Sequence, residues 1–245
     1  MAQAAEGQKL YQQVAATIAD AIRAGRYVPG RRLPSERDLA EDLQVSRPTI
    51  REAMIALEIR GLIEARPGSG IYVTEAPPVE ARAPELDIGA FELTEARALF
   101  EGETAALAAT AITDEQIDAL ERLVADMGHD PEDRRVELAD RQFHVAIAEA
   151  TRNSAIVGVV ENLWDLRYRS PLCRAMFERA RRREVNPRPD EHQAILDALR
   201  ARDSAAARKA MRDHLNRVIS DLLAATELGG DDVVARRSQM RQVAV

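Results

Sequence analysis

The chain has 245 residues and a formal net charge of −7, enough length for a small domain followed by a larger one, each with its own core. Only 4% of residues are aromatic although 46% are hydrophobic, a balance that favours packed helices over a large sheet. A single cysteine, Cys173, excludes an intramolecular disulfide framework, and neither a basic-then-apolar secretory opening nor an apolar run of membrane-spanning length occurs, so a cytoplasmic setting is expected.

Leu10, Val14, Ile18 and Ile22 recur on one face and predict an amphipathic helix that stops at Gly25. Pro29-Gly30 turns the chain. Ser35, with Asp38 three residues on, predicts a capped start to a short helix carrying Leu39, Ala40 and Leu43 on one side, and Gln44-Val45 ends it. Ser46 caps the next helix and Pro48 falls in its first turn, where a missing N–H costs nothing. Its apolar stripe is Ile50, Ala53, Met54 and Leu57, which leaves Arg47, Thr49 and Arg51 at an exposed N-terminal end. Arg60-Gly61 closes that helix, and Leu62 to Arg66 and Ile71 to Val73 predict a hairpin turned by Pro67 to Gly70. Two helices at a turn, followed by a hairpin, are the arrangement that presents one helix end to the major groove of DNA.

The three prolines of 74–86 predict a linker, and helical patterns then run over 91–111, 114–127, 132–150, 154–169, 172–183, 190–201 and 204–226. Thr113, Asp130, Asn153, Asp190 and Asp203 are their expected caps. Short connections suit an antiparallel bundle. The expected organisation is mainly α: a winged helix-turn-helix of three helices and a hairpin (1–76), a linker (77–89), an all-helical bundle (90–227) and a disordered tail (228–245). The acidity is unevenly placed. Residues 1–76 hold ten basic and ten acidic groups, so the whole −7 belongs to the remainder. Arg31, Arg32, Arg37, Arg47, Arg51 and Arg66 cluster around the expected reading unit, where the local field is positive although the sum is zero.

The run PGRRLPSERDLAEDLQVSRPTIREAMIALEIRGLIEARPGSGIYV, with FELTEARALFEGETAALAA, DRQFHVAIAEATRNSAI and EHQAILDALRARDSAAARKAMRDHL further on, resembles the GntR family of bacterial transcription factors, in its FadR-type subfamily with an all-helical FCD effector domain. Within it, FELTEARALFE, FHVAIAEATRNS and WDLRYRSP are similar to the hexuronate-utilisation repressors. The resemblance implies DNA contacts from Arg37, Ser46, Arg47, Thr49, Arg51 and Gly68. Arginine grips guanine O6 and N7 with two hydrogen bonds, so Arg47 and Arg51 suit base readout, while Arg37 and Ser46 could equally hold phosphate. Gly68 permits close backbone approach at the wing tip, although a tight turn alone would also require it.

Three of the four histidines fall in the helical region. Asp140 and His144 share a helix face at i, i+4, and on spacing alone these side chains and His192 and His214 read equally well as ordinary surface or core residues. The resemblance implies that Asp140, His144, His192 and His214 are ligands of a divalent metal, Zn²⁺ foremost, with Ni²⁺ or Mn²⁺ compatible with the same donors. His129 matches nothing. By the same resemblance Arg97 looks toward an effector pocket, against a plain salt bridge to Glu101. Asn153, Arg167 and Tyr168 are further effector candidates, against capping, solvation and packing roles.

These readings imply a ligand-responsive repressor that binds a palindromic operator in double-stranded DNA as a homodimer and senses a small carboxylate such as a hexuronate at a metal-containing pocket. An aldonate, lactate or dicarboxylate is the alternative effector. A metal-dependent enzyme and a constitutive DNA binder with a structural metal are the rival classes; the enzyme lacks a separate general base beside the ligands.

Overall fold

The computed structural model describes residues 9–75, 88–128, 134–183 and 185–227. Most of the expected linker, the tail from 228, His129 and the Asp130 cap lie outside the described residues. The chain divides into two compact units, Ile88–Leu222 and the remainder.

In the first unit α1 (Leu10–Arg23) packs on α3 (Arg47–Ile59), and α2 (Glu36–Leu43) packs beside it. Val14, Ile18, Leu39, Ile50, Met54 and Leu57 are all buried, each side chain contributing about 1.5–3 kcal/mol relative to exposure. Leu10 departs from the expected stripe. It is 53% exposed and Tyr11 takes the inward position, because Tyr11, Val14, Ile18 and Ile22 share a face that Leu10 precedes by one residue. Ser35 Oγ accepts from Asp38 N while the Asp38 carboxylate accepts from Ser35 N, a reciprocal cap. Gln44 ends α2 in the left-handed region (φ 54°).

β1 (Ile63–Arg66) and β2 (Gly70–Val73) pair antiparallel with Ile63 opposite Val73 and Arg66 opposite Gly70. Residues 30–33 run along the other side of β2: Leu33 N donates to Ile71 O (2.8 Å) and Val73 N to Arg31 O (3.0 Å). Glycine is required at 70, where φ is 115° and a Cβ would meet Arg32 Nε at 2.5 Å.

The second unit is all helical: α4 (Ala90–Ala111), α5 (Asp114–Met127), α6 (Arg134–Ala150), α7 (Ser154–Arg169), α8 (Pro171–Arg181), α9 (Pro189–Arg200) and α10 (Ser204–Ala225), whose last turn from Leu223 groups with the first unit. Its core joins Phe143 and Ile147 of α6 to Leu120 of α5, Leu196 and Leu199 of α9 and Met211 and Leu215 of α10. A satellite cluster forms around Trp164 with Val145, Ala148 and Val160. Thr113, Asn153 and Asp203 cap as expected. Asp190 does not: α9 starts one residue earlier at Pro189, with Arg188 at the cap, and Asp190 falls in the first turn, where its charge still suits the positive helix end.

Candidate functional site

The first unit offers a helix end. Arg47 is exposed and, among the described residues, makes no hydrogen bond or ion pair, so its guanidinium is available. Ser46 Oγ accepts from Thr49 N (3.3 Å) and lies 2.7 Å from Thr49 Oγ1, which fixes the start of α3. Arg37 is exposed beside Glu41, with Nε 3.1 Å from the carboxylate. Gly68 is exposed at the hairpin tip with φ 67°. Arg66 stacks 4.2 Å over the Tyr72 ring, and Ser69 Oγ lies 2.7 Å from the Tyr72 hydroxyl, which stiffens the wing.

Arg51 departs from its expected exposure. Its side chain is fully buried, pairs with the Glu36 carboxylate and donates from Nη1 to Leu223 O (2.6 Å) and Thr226 Oγ1 (3.4 Å). Burial pushes the Glu36 carboxyl up and Arg51 opposes that shift. The reason is that α3 is covered well beyond its apolar stripe: every residue from Ile50 to Leu57 is buried. Ile55, one turn after Arg51 on the same side, was the signal in the sequence.

In the second unit α6, α9 and α10 bring Asp140, His144, His192 and His214 together, with one candidate ligand atom from each lying within 4.8 Å of all the others. All four are buried. Three contacts set which ring nitrogens face the centre. His144 Nδ1 pairs with a Glu101 carboxylate oxygen, His192 Nδ1 lies 2.8 Å from Arg188 O, and His214 Nδ1 lies 2.9 Å from Glu191 Oε2. The Nε2 atoms of His144 and His192 are left toward Asp140, at 3.6 and 3.0 Å from its Oδ1. Among the described residues His144 Nε2 has no hydrogen-bond partner although buried, which suits it to donate to a metal ion.

Burial and mutual contacts set the charge states of the cluster. Burial pushes the Asp140 carboxyl up, but His144 and His192 outweigh it and hold the group well below the usual carboxylate range. His214 is held well below 6.5 by burial and by its neighbours His192 and His144, so it is a neutral donor. Burial lowers the His144 pKa, and Glu101 and Asp140 raise it further than burial lowers it. Glu101 itself is pushed up by burial and brought down to about 2 by Arg97 and His144. Three imidazole nitrogens, each ring held at Nδ1 by a second contact, and one carboxylate fit a divalent ion of the Zn²⁺ type, which would supply Lewis acidity and open positions for an oxygen ligand.

A cavity of about 90 Å³ opens beside Asp140 and His214, lined also by Glu137, Arg167, Arg188 and Asp221. Arg167 is the one candidate effector residue on its wall. Arg97 is 3% exposed, bonds Glu101 at 2.6 Å and stacks 4.1 Å over Trp164, so it supports His144 through Glu101 instead of facing the cavity. Asn153 is exposed and caps α7, its Oδ1 accepting from Ala155 N (3.0 Å) and Ile156 N (3.3 Å). Tyr168 is 40% exposed and lies off the cavity wall. Nothing local in the sequence marks the supporting roles of Glu101, Glu191 and Arg188: the i, i+4 pair Arg97–Glu101 is visible there, but what Glu101 touches on another helix is not.

Residues 92–217 match the FCD domain family and residues 10–73 match the family described as bacterial regulatory proteins, gntR family. The chain is 38% identical to the Exu regulon transcriptional regulator of Escherichia coli K12 over 215 residues, covering 86% of this chain and 83% of that protein. It is also 38% identical to the Uxu operon transcriptional regulator of the same strain over 240 residues, covering 91% and 90%. A GntR family member from Pseudomonas syringae pv. tomato shares the fold at a TM-score of 0.50 and 19% identity, covering 96% of this chain and 89% of that one. With the gntR-family match in one unit and the FCD match in the other, this chain is a DNA-binding transcriptional regulator, not an enzyme, and belongs to the GntR family.

Proposed function

We propose that this regulator is a metal-containing, hexuronate-responsive repressor that binds a palindromic operator as a homodimer in the bacterial cytoplasm. The observation that carries the reading is the buried Asp140, His144, His192 and His214 cluster opening on a cavity walled by Arg167. A metal there with open positions takes carboxylate and hydroxyl oxygens from a sugar acid, and the names of the Exu and Uxu relatives point to hexuronate catabolism as the regulated process. Arg47 is the principal base reader in this scheme. Arg37, Ser46, Thr49 and Gly68 place the helix and wing on the duplex. Two copies double the sites read and set the half-site spacing. The acid must prefer one arrangement of the regulator, since equal affinity for both shifts nothing.

The test is fluorescence anisotropy of zinc-loaded protein on its own promoter DNA during titration with galacturonate, glucuronate and fructuronate. One of these acids releases the operator, and chelator-treated protein no longer responds to it. If none alters operator affinity, the effector reading is lost.

A further inference from the structure

The cavity beside the metal-ligand cluster contains three arginines, and two of them are already committed. Arg181 Nη2 donates to Glu137 Oε2 at 2.5 Å, and Arg188 Nη2 donates to Asp221 Oδ2 at 3.1 Å. Arg167 differs. Among the described residues it makes no hydrogen bond: its nearest carboxylate oxygens are Glu137 Oε1 at 3.5 Å and Asp140 Oδ2 at 3.9 Å, and its Nε is buried without a partner. Its guanidinium lies 3.9 Å over the Phe177 ring and its side chain is 13% exposed, so water does little to satisfy it. A nearly desolvated guanidinium with open donors, next to a candidate metal ligand, is a docking place for one carboxylate, which it can meet with two parallel hydrogen bonds.

The rest of the wall is hostile to a second carboxylate. Glu137, Glu191 and Asp221 all line the cavity. Arg181 and Arg188 serve Glu137 and Asp221, while Glu191 holds His214 and Arg217, the latter with Nε at 2.7 Å. A second anionic group would have to displace one of these pairs or stand unpaired among like charges, whereas hydroxyls can donate to the same oxygens.

We propose that Arg167 clamps the effector's single carboxylate and that Glu137, Glu191 and Asp221 select hydroxyl-rich monocarboxylates against dicarboxylates of the same carbon skeleton. This rests on the effector reading given above and specifies its substrate class.

Galacturonate and galactarate differ only in the group at the far carbon, an aldehyde or its hemiacetal in one and a carboxylate in the other. Isothermal titration of the zinc-loaded full-length protein with each acid tests the proposal. Galacturonate binds at least about tenfold more tightly than galactarate, and Arg167→Gln loses about tenfold or more in galacturonate affinity, with Arg167→Lys between the two. Asp221→Asn narrows the gap between the two acids, and thermal melts and zinc content confirm that each variant is folded and loaded. Equal affinity for the two acids, or unaltered galacturonate binding by Arg167→Gln, overturns this proposal alone. Where glucuronate is the acid bound, glucarate takes the place of galactarate in the same comparison, and binding of none of galacturonate, glucuronate and fructuronate by the wild-type protein overturns the proposal together with the effector reading.

Discussion

Arg51 of α3 and Glu36 of α2 form a buried ion pair, with the guanidinium fully excluded from solvent and Glu36 only 8% exposed. A pair of this kind is costly to break from one side, because the remaining charge has no solvent to turn to. Arg51→Met therefore lowers the stability of the first unit by about 3–5 kcal/mol, measured by urea denaturation. Glu36 already has a raised pKa from burial, and losing Arg51 raises it further. A carboxyl raised in the fold contributes its stability below its ordinary value and loses it as pH rises, so the deficit of the variant is smaller at mildly acid pH than at pH 8. A variant as stable as the wild type would return Arg51 to the list of base readers.

Arg47 gives the opposite expectation, since it is exposed and uncommitted. Arg47→Ala costs operator binding about 1–3 kcal/mol while binding to random duplex changes much less. Arg37 stands beside Glu41 at the edge of the same surface, and Arg37→Ala chiefly flattens the dependence of affinity on salt. Anisotropy on operator and scrambled DNA at two salt concentrations separates the two. Equal losses on both duplexes for Arg47→Ala would remove it from sequence readout.

Much of this layout was legible in the sequence because it is written in local chemistry. Ser35, Ser46, Thr113 and Asn153 each announce a helix start through a side-chain oxygen aimed at backbone N–H groups two or three residues on. The hairpin followed from Pro67 to Gly70, and the grouping of Asp140, His144, His192 and His214 from a family resemblance that spacing alone could not supply. What stayed hidden depends on which helix packs where. Arg51 has the same sequence appearance as Arg47, and only tertiary packing commits it to Glu36; the Arg97–Glu101 pair is local, and packing adds that Glu101 also meets His144 on another helix. Leu10 likewise carries an apolar side chain that the first turn of α1 turns outward.

Support of the ligands by Glu101 gives a third prediction. Glu101→Gln removes the charge that orients and polarises His144 while keeping the size of the side chain, and it weakens zinc retention by about 10–100-fold, read by competition with a chromogenic chelator. Arg97 is left without its carboxylate, so a fall in melting temperature accompanies the change. The pH response follows with a definite sign. Glu101 and Asp140 hold the His144 proton above its ordinary 6.5, and an incoming metal must displace that proton. Zinc affinity therefore rises with pH through the raised value and falls below it. In Glu101→Gln the proton is held less firmly, so the pH dependence shifts to lower pH. Identical pH profiles for the two proteins would show that Glu101 does not act on His144.

Phe143 connects the core to the ligands most directly. It is fully buried in the main cluster of the second unit, with its ring edge-on to His144 at 5.9 Å and to His192 at 5.0 Å between centroids. Phe143→Ala leaves a cavity that closes only in part, at a cost of about 3–5 kcal/mol. The same void removes the wall against which both imidazoles rest. Zinc binding then weakens although no ligand has been altered, because the rings must be ordered by the ion instead of being held in advance. Phe143→Leu keeps most of the volume and loses less of both, so stability and zinc affinity fall in the same order across wild type, Leu and Ala. Calorimetric melts and chelator competition on the three proteins check this. A variant that loses stability but keeps wild-type zinc affinity would show that packing at Phe143 does not preorganise the site.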